Sequence, residues 1–434
     1  MSNDRISRIL KSQATAYAVA SFVGFSVGLL VAAQFFPTRV ERVEVIRTVP
    51  APVPKPVPSV EPKTQPLVTY TRVNVEDLPG WTEDSVSSAL PALQNACRAF
   101  DGRPETDSVG RNGIGGTVGD WRAPCAALAL IASNDDGGLR AVMRDLFVPY
   151  AVSSPQGPDG KFTGYYEASL RGSESQSEKY SVPLYALPND LVELDARAFD
   201  LSSDIPSVIG QVTDRRLVPY EVRRTIEQDT TFSDRADVLV WVDDPVDAHL
   251  LHIQGSGRVR MPDGSERRIG YAGNNGRRFR GIGGILLSAG VLGPGQGSMP
   301  SVADWLRDNP APAQSYMEDN PRFIFFRWND GPGPLGALGV PLEPMRSLAV
   351  DPKYIPYGAP LWLDVDDPDG QSLDGMVVAL DTGSAIRGAV RGDFFWGSGD
   401  AAFAKAGRMN SRGRYYLFLP RSVAQPSQIG EKPL

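Results

Sequence analysis

Residues 377–400 read VVALDTGSAIRGAVRGDFFWGSGD. Four apolar residues run into Asp381, and Thr382, Gly383 and Ser384 then turn the chain, so the segment reads as a buried strand ending in a turn. A carboxylate at that strand end sits at the rim of a β-barrel or sandwich. Burial raises a carboxyl from its ordinary value of about 3.9, and holding a proton near neutral pH takes a shift of about two units, at a cost of roughly 2.7 kcal/mol. A general acid needs that environment. Without further context Asp381 reads equally as a turn residue, since Asp-Thr-Gly suits turns. Asp393 follows twelve residues on, beside Phe394, Phe395 and Trp396, and Asp400 reads as the N-cap of a short helix ending at Gly407.

Outward from this segment the same texture continues. KFTGYYEASL, ADVLVWV, AHLLHIQGSGRVRM, RFIFFRW, APLWLDV, GMVVAL and RYYLFL are short, β-branched or aromatic, and set apart by Gly, Pro, Asn or Asp. Asp263-Gly264 marks a hairpin between two of them. Helical spacing predicts a helix capped by Thr82 through Val86, Leu90, Leu93, Cys97 and Phe100, with others over 124–132 and 138–147, and a capping box from Ser301 to Asp304 opens one more. The 434 residues include 44 glycines and 37 prolines, which fits a turn-rich β-protein of two packed units and excludes collagen, coiled coil and a multispan channel.

The net charge of −7 disfavours nucleic acid as a partner. Two histidines and two cysteines leave too few ligands for a clustered zinc site, and no metal or organic cofactor is expected. Cys97 and Cys125 form one disulfide if the domain is exported, or stay as two buried thiols. His249 and His252 fall in a strand-like run, on opposite faces, and read as structural. The run GIGGIL lacks dinucleotide-site spacing. Seven arginines between Gly257 and Arg280 either line a groove for an anionic polymer or face water.

Residues 14–36 carry no charge and are long enough to cross a bilayer, so they read as a single membrane anchor. Residues 48–66 hold seven prolines and read as an extended spacer of roughly 60 Å. The expected organisation is tail and anchor (1–36), Pro-rich linker (37–77), the first part of the catalytic domain (78–170), an inserted β-domain (171–314) and the C-terminal barrel portion (315–434).

Taken in order, FTGYYEASL, LLHIQGSGRV, YAGNNGRRFRGIGGIL, NPRFIFFRW, PLGALGVPLEPMRSLAVDPKYIPYGAPLWL and ALDTGSAIRGAVRGDFFWGSGDAAFAKAG resemble the membrane-bound lytic murein transglycosylase A family. The C-terminal part resembles its three-aspartate domain, whose acids fall on Asp351, Asp381 and Asp393. The resemblance implies a mainly β fold: a double-psi β-barrel assembled from both ends of the soluble region, a second β-barrel-like domain inserted into it, and a groove for a glycan strand. It implies cleavage of the β-1,4 bond between N-acetylmuramic acid and N-acetylglucosamine in peptidoglycan, leaving a 1,6-anhydro end. Asp381 matches the catalytic acid. Asp393 and Asp351, with Thr382 and Gly383, are expected to support it, and Tyr165, Tyr166, Gln254, Ser256 and Arg387 to hold sugar, the tyrosines by stacking. The arginine-rich stretch is expected to meet lactyl or stem-peptide carboxylates.

Three departures stand out. No cysteine precedes Cys97, so an inner-membrane anchor holding a monomeric periplasmic catalytic part replaces the usual lipid attachment. Leu380 stands where Gln is usual and Ser384 where Gly is usual, which changes the hydrogen bonding expected around Asp381. Ala168 replaces a usual proline. Two other readings compete: an aspartic protease that needs a homodimer to bring two DTG loops together, and a non-catalytic tether that binds the wall.

Overall fold

The computed structural model describes residues 68–199, 207–331 and 333–423, so the expected anchor and all of the extended spacer over 48–66 lie outside the described residues. Among the described residues no helix is long and apolar enough to cross a membrane. The chain is mainly β with short helices. It opens with β1 (Thr69–Arg72) and passes through α1 (Leu90–Arg98), α2 (Val118–Leu128) and α3 (Asp136–Leu146) before β2 (Phe147–Ser153) and the long β3 (Gly160–Ser173). Next come β4 (Val182–Tyr185), a small sheet of β5 (Leu191–Asp195), β6 (Ser207–Thr213) and β7 (Arg216–Pro219), then α4 (Arg223–Gln228), β8 (Val238–Val242) and α5 (Pro245–Gln254). The hairpin of β9 (Ser256–Arg260) and β10 (Glu266–Asn274) leads to α6 (Ile282–Ser288), α7 (Met299–Asp308), α8 (Pro310–Glu318) and β11 (Ile324–Asn329). The C-terminal portion holds β12 (Ser347–Val350), β13 (Pro360–Val365), β14 (Gly375–Asp381), β15 (Arg391–Ser398), α9 (Asp400–Arg408) and β16 (Asn410–Pro420).

Six of these strands close on themselves. β3 pairs with β16, β16 with β13, β13 with β14, β14 with β12, β12 with β15, and β15 returns to β3. A closed ring leaves no free strand edge and turns one face of every strand inward. Phe162, Leu348, Leu361, Ala379 and Leu417 fill it and are fully buried. Because α1 and the turn before it pack on β14 from outside, GMVVAL is buried on both faces and reads as an unbroken apolar run rather than an alternating one.

The fourteen residues of β3 serve two bodies. Residues up to Glu167 pair within the barrel, whereas Ala168–Arg171 run parallel to β9, and Gly172 and Ser173 pair with β8. The second body has its own cores, one around Ala168, Leu170, Val240, Val259 and Phe326 and another beneath α5, α6, α7 and α8.

Several local expectations change. Thr82 bonds Glu83 and caps nothing; α1 starts at Leu90 and places Pro91 in its first turn, where a missing N–H costs least. Thr117 and Asp120 form the capping box that starts α2 six residues before the expected position. The run holding His249 and His252 is not a strand. Asp244 accepts from Val246 N–H, Pro245 occupies the first turn, and Gly255 at φ 82° stops the helix, so both histidines lie on one buried side of α5. Ser298, not Ser301, caps α7, and Asp400 is the first residue of α9 after Gly399. Cys97 and Cys125 are joined, with Cα atoms 5.5 Å apart, and tie α1 to α2.

Candidate active site

Register places Asp381 on β14 beside Ala349 on β12, Ala349 beside Asp393 on β15, and Asp393 beside Thr163 on β3. Laterally paired residues project to the same face of a sheet, so the two aspartates share a surface with only the methyl group of Ala349 between them. A larger residue there would fill the space the carboxyls face.

Asp381 is held by main chain. The amides of Ala337 and Thr382 donate to its Oδ1 at 2.9 and 2.8 Å, which leaves Oδ2 free to carry a proton. Ala337 belongs to a loop that latches over the end of β14, where Leu338 N–H bonds Leu380 O at 3.1 Å. Gly336 makes this approach possible, since a Cβ there would lie 2.4 Å from Leu380 O. Leu380 is fully buried, so these main-chain donors supply the hydrogen bonds near Asp381. Thr382 donates its hydroxyl to Val350 O at 2.8 Å and pins the turn.

By accessible surface Asp381 is half-buried, yet protein crowds it on every side but the one that opens into a cavity. The crowding governs its titration: burial pushes the carboxyl up to about 6, the Thr382 and Ala337 amides and Tyr165 pull it back, and the charge of Asp393 pushes again. The Tyr165 hydroxyl is buried next to this carboxyl, although its orientation falls short of a hydrogen bond. Asp393 is also raised by burial, opposed by Arg391, Thr163 and Lys161. The Thr163 hydroxyl donates to Asp393, and Arg391 donates to Thr163 Oγ1 at 2.7 Å. Asp393 thus has the Arg391 charge beside it, whereas among the described residues Asp381 has no cationic partner.

The cavity has a volume of about 1010 Å³, with the barrel loops on one side and the second body on the other. Thr382, Gly383, Arg387, Asp393, Tyr165, Tyr166, Gln254 and Ser256 all line it with Asp381. Asp351 does not. It is buried behind the site and accepts from Gly388 N–H at 2.9 Å and Lys353 N–H at 3.1 Å, anchoring the far end of the Asp381 loop. The tyrosines offer edges rather than open faces, because Tyr165 packs on Phe395 and Tyr166 on Phe403; the stacking expected of them has no exposed ring to use. Gln254 Oε1 accepts from Tyr166 N–H at 3.1 Å, which leaves its amide nitrogen for the cavity.

Sequence reasoning missed much of the second wall. Tyr271, which is 46% exposed, lines the cavity with Gly281, Gly283, Gly284, Arg322 and Arg327. GIGGIL lacks a nucleotide motif, but its glycines were a legible sign of close backbone approach. The arginine-rich stretch mostly serves the fold. Arg258 and Arg268 hold the buried Glu167, Arg267 pairs with Glu174, and Arg277 donates to Tyr220 O. Among the described residues no group of three or more His, Cys, Asp or Glu side chains could hold a metal ion.

Comparison with known proteins gives a consistent picture. Residues 161–327 match the MltA specific insert domain, and residues 346–419 match the 3D domain. The crystal structure of MltA from Neisseria gonorrhoeae in its monoclinic form is 31% identical, with a TM-score of 0.69 over 82% of this chain and 93% of that one. A membrane-bound lytic murein transglycosylase from Agrobacterium tumefaciens is 30% identical, with a TM-score of 0.71 over 81% of this chain and 98% of that one. The curated membrane-bound lytic murein transglycosylase A of Escherichia coli K12 is 28% identical over 265 residues, which are 59% of this chain and 65% of that protein, just under two thirds of its length.

Proposed function

The chain belongs to the membrane-bound lytic murein transglycosylase A family, and from that membership we propose that it cleaves the β-1,4 bond between N-acetylmuramic acid and N-acetylglucosamine in peptidoglycan, with Asp381 as both acid and base. The observation that carries this reading is a carboxyl with no cationic partner, pushed up to about 6 and opening into a cavity wide enough for sugar rings.

In the proposed reaction Asp381 gives its proton to the glycosidic oxygen as the C1–O bond breaks and the N-acetylglucosamine hydroxyl departs. The Asp381 carboxylate then takes the proton of the muramyl C6 hydroxyl, whose oxygen bonds to C1. Atoms and protons balance without water, so the second carboxylate that an ordinary glycosidase uses on water is not required. Asp393 adds negative charge nearby, which keeps the Asp381 proton on and steadies an oxocarbenium-like centre. Gln254, Ser256 and Arg387 hold the strand, and Asp351, Thr382 and Gly383 set the loop. The protease reading needs a second DTG loop opposite the first, whereas here the second body forms the opposite wall.

The six-stranded ring is read as a double-psi barrel, and residues 171–314 as the inserted domain. Residues 14–36 are proposed to anchor a monomer in the inner membrane, with the catalytic part in the periplasm. The Cys97–Cys125 disulfide supports that oxidising compartment. Digestion of purified peptidoglycan with residues 67–434, followed by mass spectrometry, tests the reaction. Anhydro-ended muropeptides are the expected product; reducing ends alone would make it a hydrolase, and intact sacculi pulled down without release would make it a tether.

A further inference from the structure

Two guanidinium groups converge on the cavity from opposite walls. Half-buried Arg322 comes from the segment before β11, and exposed Arg387 from the loop after Asp381. Among the described residues both guanidiniums hydrogen-bond to main-chain carbonyls alone. Arg322 donates one Nη to Arg277 O at 3.1 Å, and Arg387 donates one Nη to Gly383 O and Ile386 O at 2.9 and 2.8 Å, which fixes each head and leaves its remaining N–H groups unused. Among the described residues neither has a carboxylate partner. They are close enough that the charge of Arg387 adds to burial in lowering Arg322, while Tyr271 beside it acts the other way. Like charges held together in a ligand cavity without a counter-ion are an anion site, and planar guanidinium forks suit a carboxylate.

Resting on the lytic transglycosylase reading, we propose that Arg322 and Arg387 bracket a substrate carboxylate beside the scissile bond, so that the enzyme selects glycan strands by the acid groups they carry. A carboxylate can come from the stem peptide or, on stripped strands, from the free lactyl group.

The test compares kcat/KM on peptide-bearing strands before and after their carboxyls are converted to amides. The wild type is expected to favour the native strands by about tenfold, the scale of one charge-assisted hydrogen bond. The Arg322→Gln/Arg387→Gln double variant should show less than about twofold preference, and Arg322→Lys should keep part of it. If the double variant fails to fold, each single Gln variant should still lower the preference about threefold. A wild type indifferent to amidation of both peptide-bearing and amidase-stripped strands, or variants that keep the full preference, would overturn the proposal. Amidase-stripped strands locate the source: a preference for them over their own amidated form assigns the lactyl group, and its loss assigns the stem peptide, each supporting a carboxylate site. Anhydro ends from no strand at all would instead remove the reaction on which the proposal stands.

Discussion

Two acidic side chains sit inside this molecule, Glu167 where β3 passes from barrel to insert and Asp381 at the end of β14, and they have opposite surroundings. Glu167 is 1% exposed, with Arg258 Nε 2.6 Å from one carboxylate oxygen and Arg268 Nε 3.4 Å from the other. Asp381 has two amides, a tyrosine and another acid. A carboxylate compensated by guanidinium stays charged and cements structure, whereas one without a cation is driven toward the neutral form and becomes chemically useful. Burial alone does not make an acid catalyst; what shares the burial decides.

The largest effect that contrast predicts is on turnover. Asp381→Asn removes the group proposed to move the proton and should lower kcat on peptidoglycan by about a thousandfold; near wild-type release of anhydro products would break the assignment. Next comes Glu167→Ala, which strips the half-buried Arg268 of its carboxylate partner, leaves Arg258 with Glu266 alone and should cost about 3 kcal/mol in urea unfolding, whereas a loss under 1 kcal/mol would mean that the arginines are already well solvated.

Asp381→Asn should have the reverse effect on the fold. Because the folded carboxyl is raised, its contribution to stability is full below about pH 4, declines as the pH climbs through about 6 and is gone above it. The Asn variant should therefore gain about 2 to 3 kcal/mol over wild type at pH 7.5 and little at pH 4. The same titration sets the rate: kcat should fall about tenfold per unit above pH 6 as the acid ionises, and a flat profile to pH 8 would separate the titration from the chemistry. Smallest is Asp393→Asn. Removing its charge should lower the Asp381 pKa and move that alkaline limb down by less than about one unit; an upward move would contradict the sign of the coupling.

The barrel was more legible in the sequence than the insert. Apolar runs bounded by turns located β3, β13, β14 and β16, and an acid closing one such run pointed to Asp381. Nothing local could reveal that Ala337, 44 residues away, donates to that acid, or that Ala349 clears the space between the carboxyls, because the first follows from a distant loop latching on β14 and the second from strand register. In the insert the strand-rich reading hid α4, α5, α6 and α8. The cost was clearest at α5, where Asp244, Pro245 and Gly255 signalled start and stop but apolar content won. Arg322 and Tyr271 gave no signal of their own, since nothing in the neighbouring sequence distinguishes an arginine or tyrosine that faces a cavity from one that faces water.

The continuity of β3 bears on how a long substrate enters. At about 3.3 Å per residue its fourteen residues form a girder of roughly 46 Å common to both walls. Opening the walls like jaws would tear ladder bonds on one side of Glu167 or the other. In the proposed reaction a stiff polysaccharide is thus better served by feeding in lengthwise along a fixed slot, with the cut made wherever a muramyl residue comes to rest against the acid.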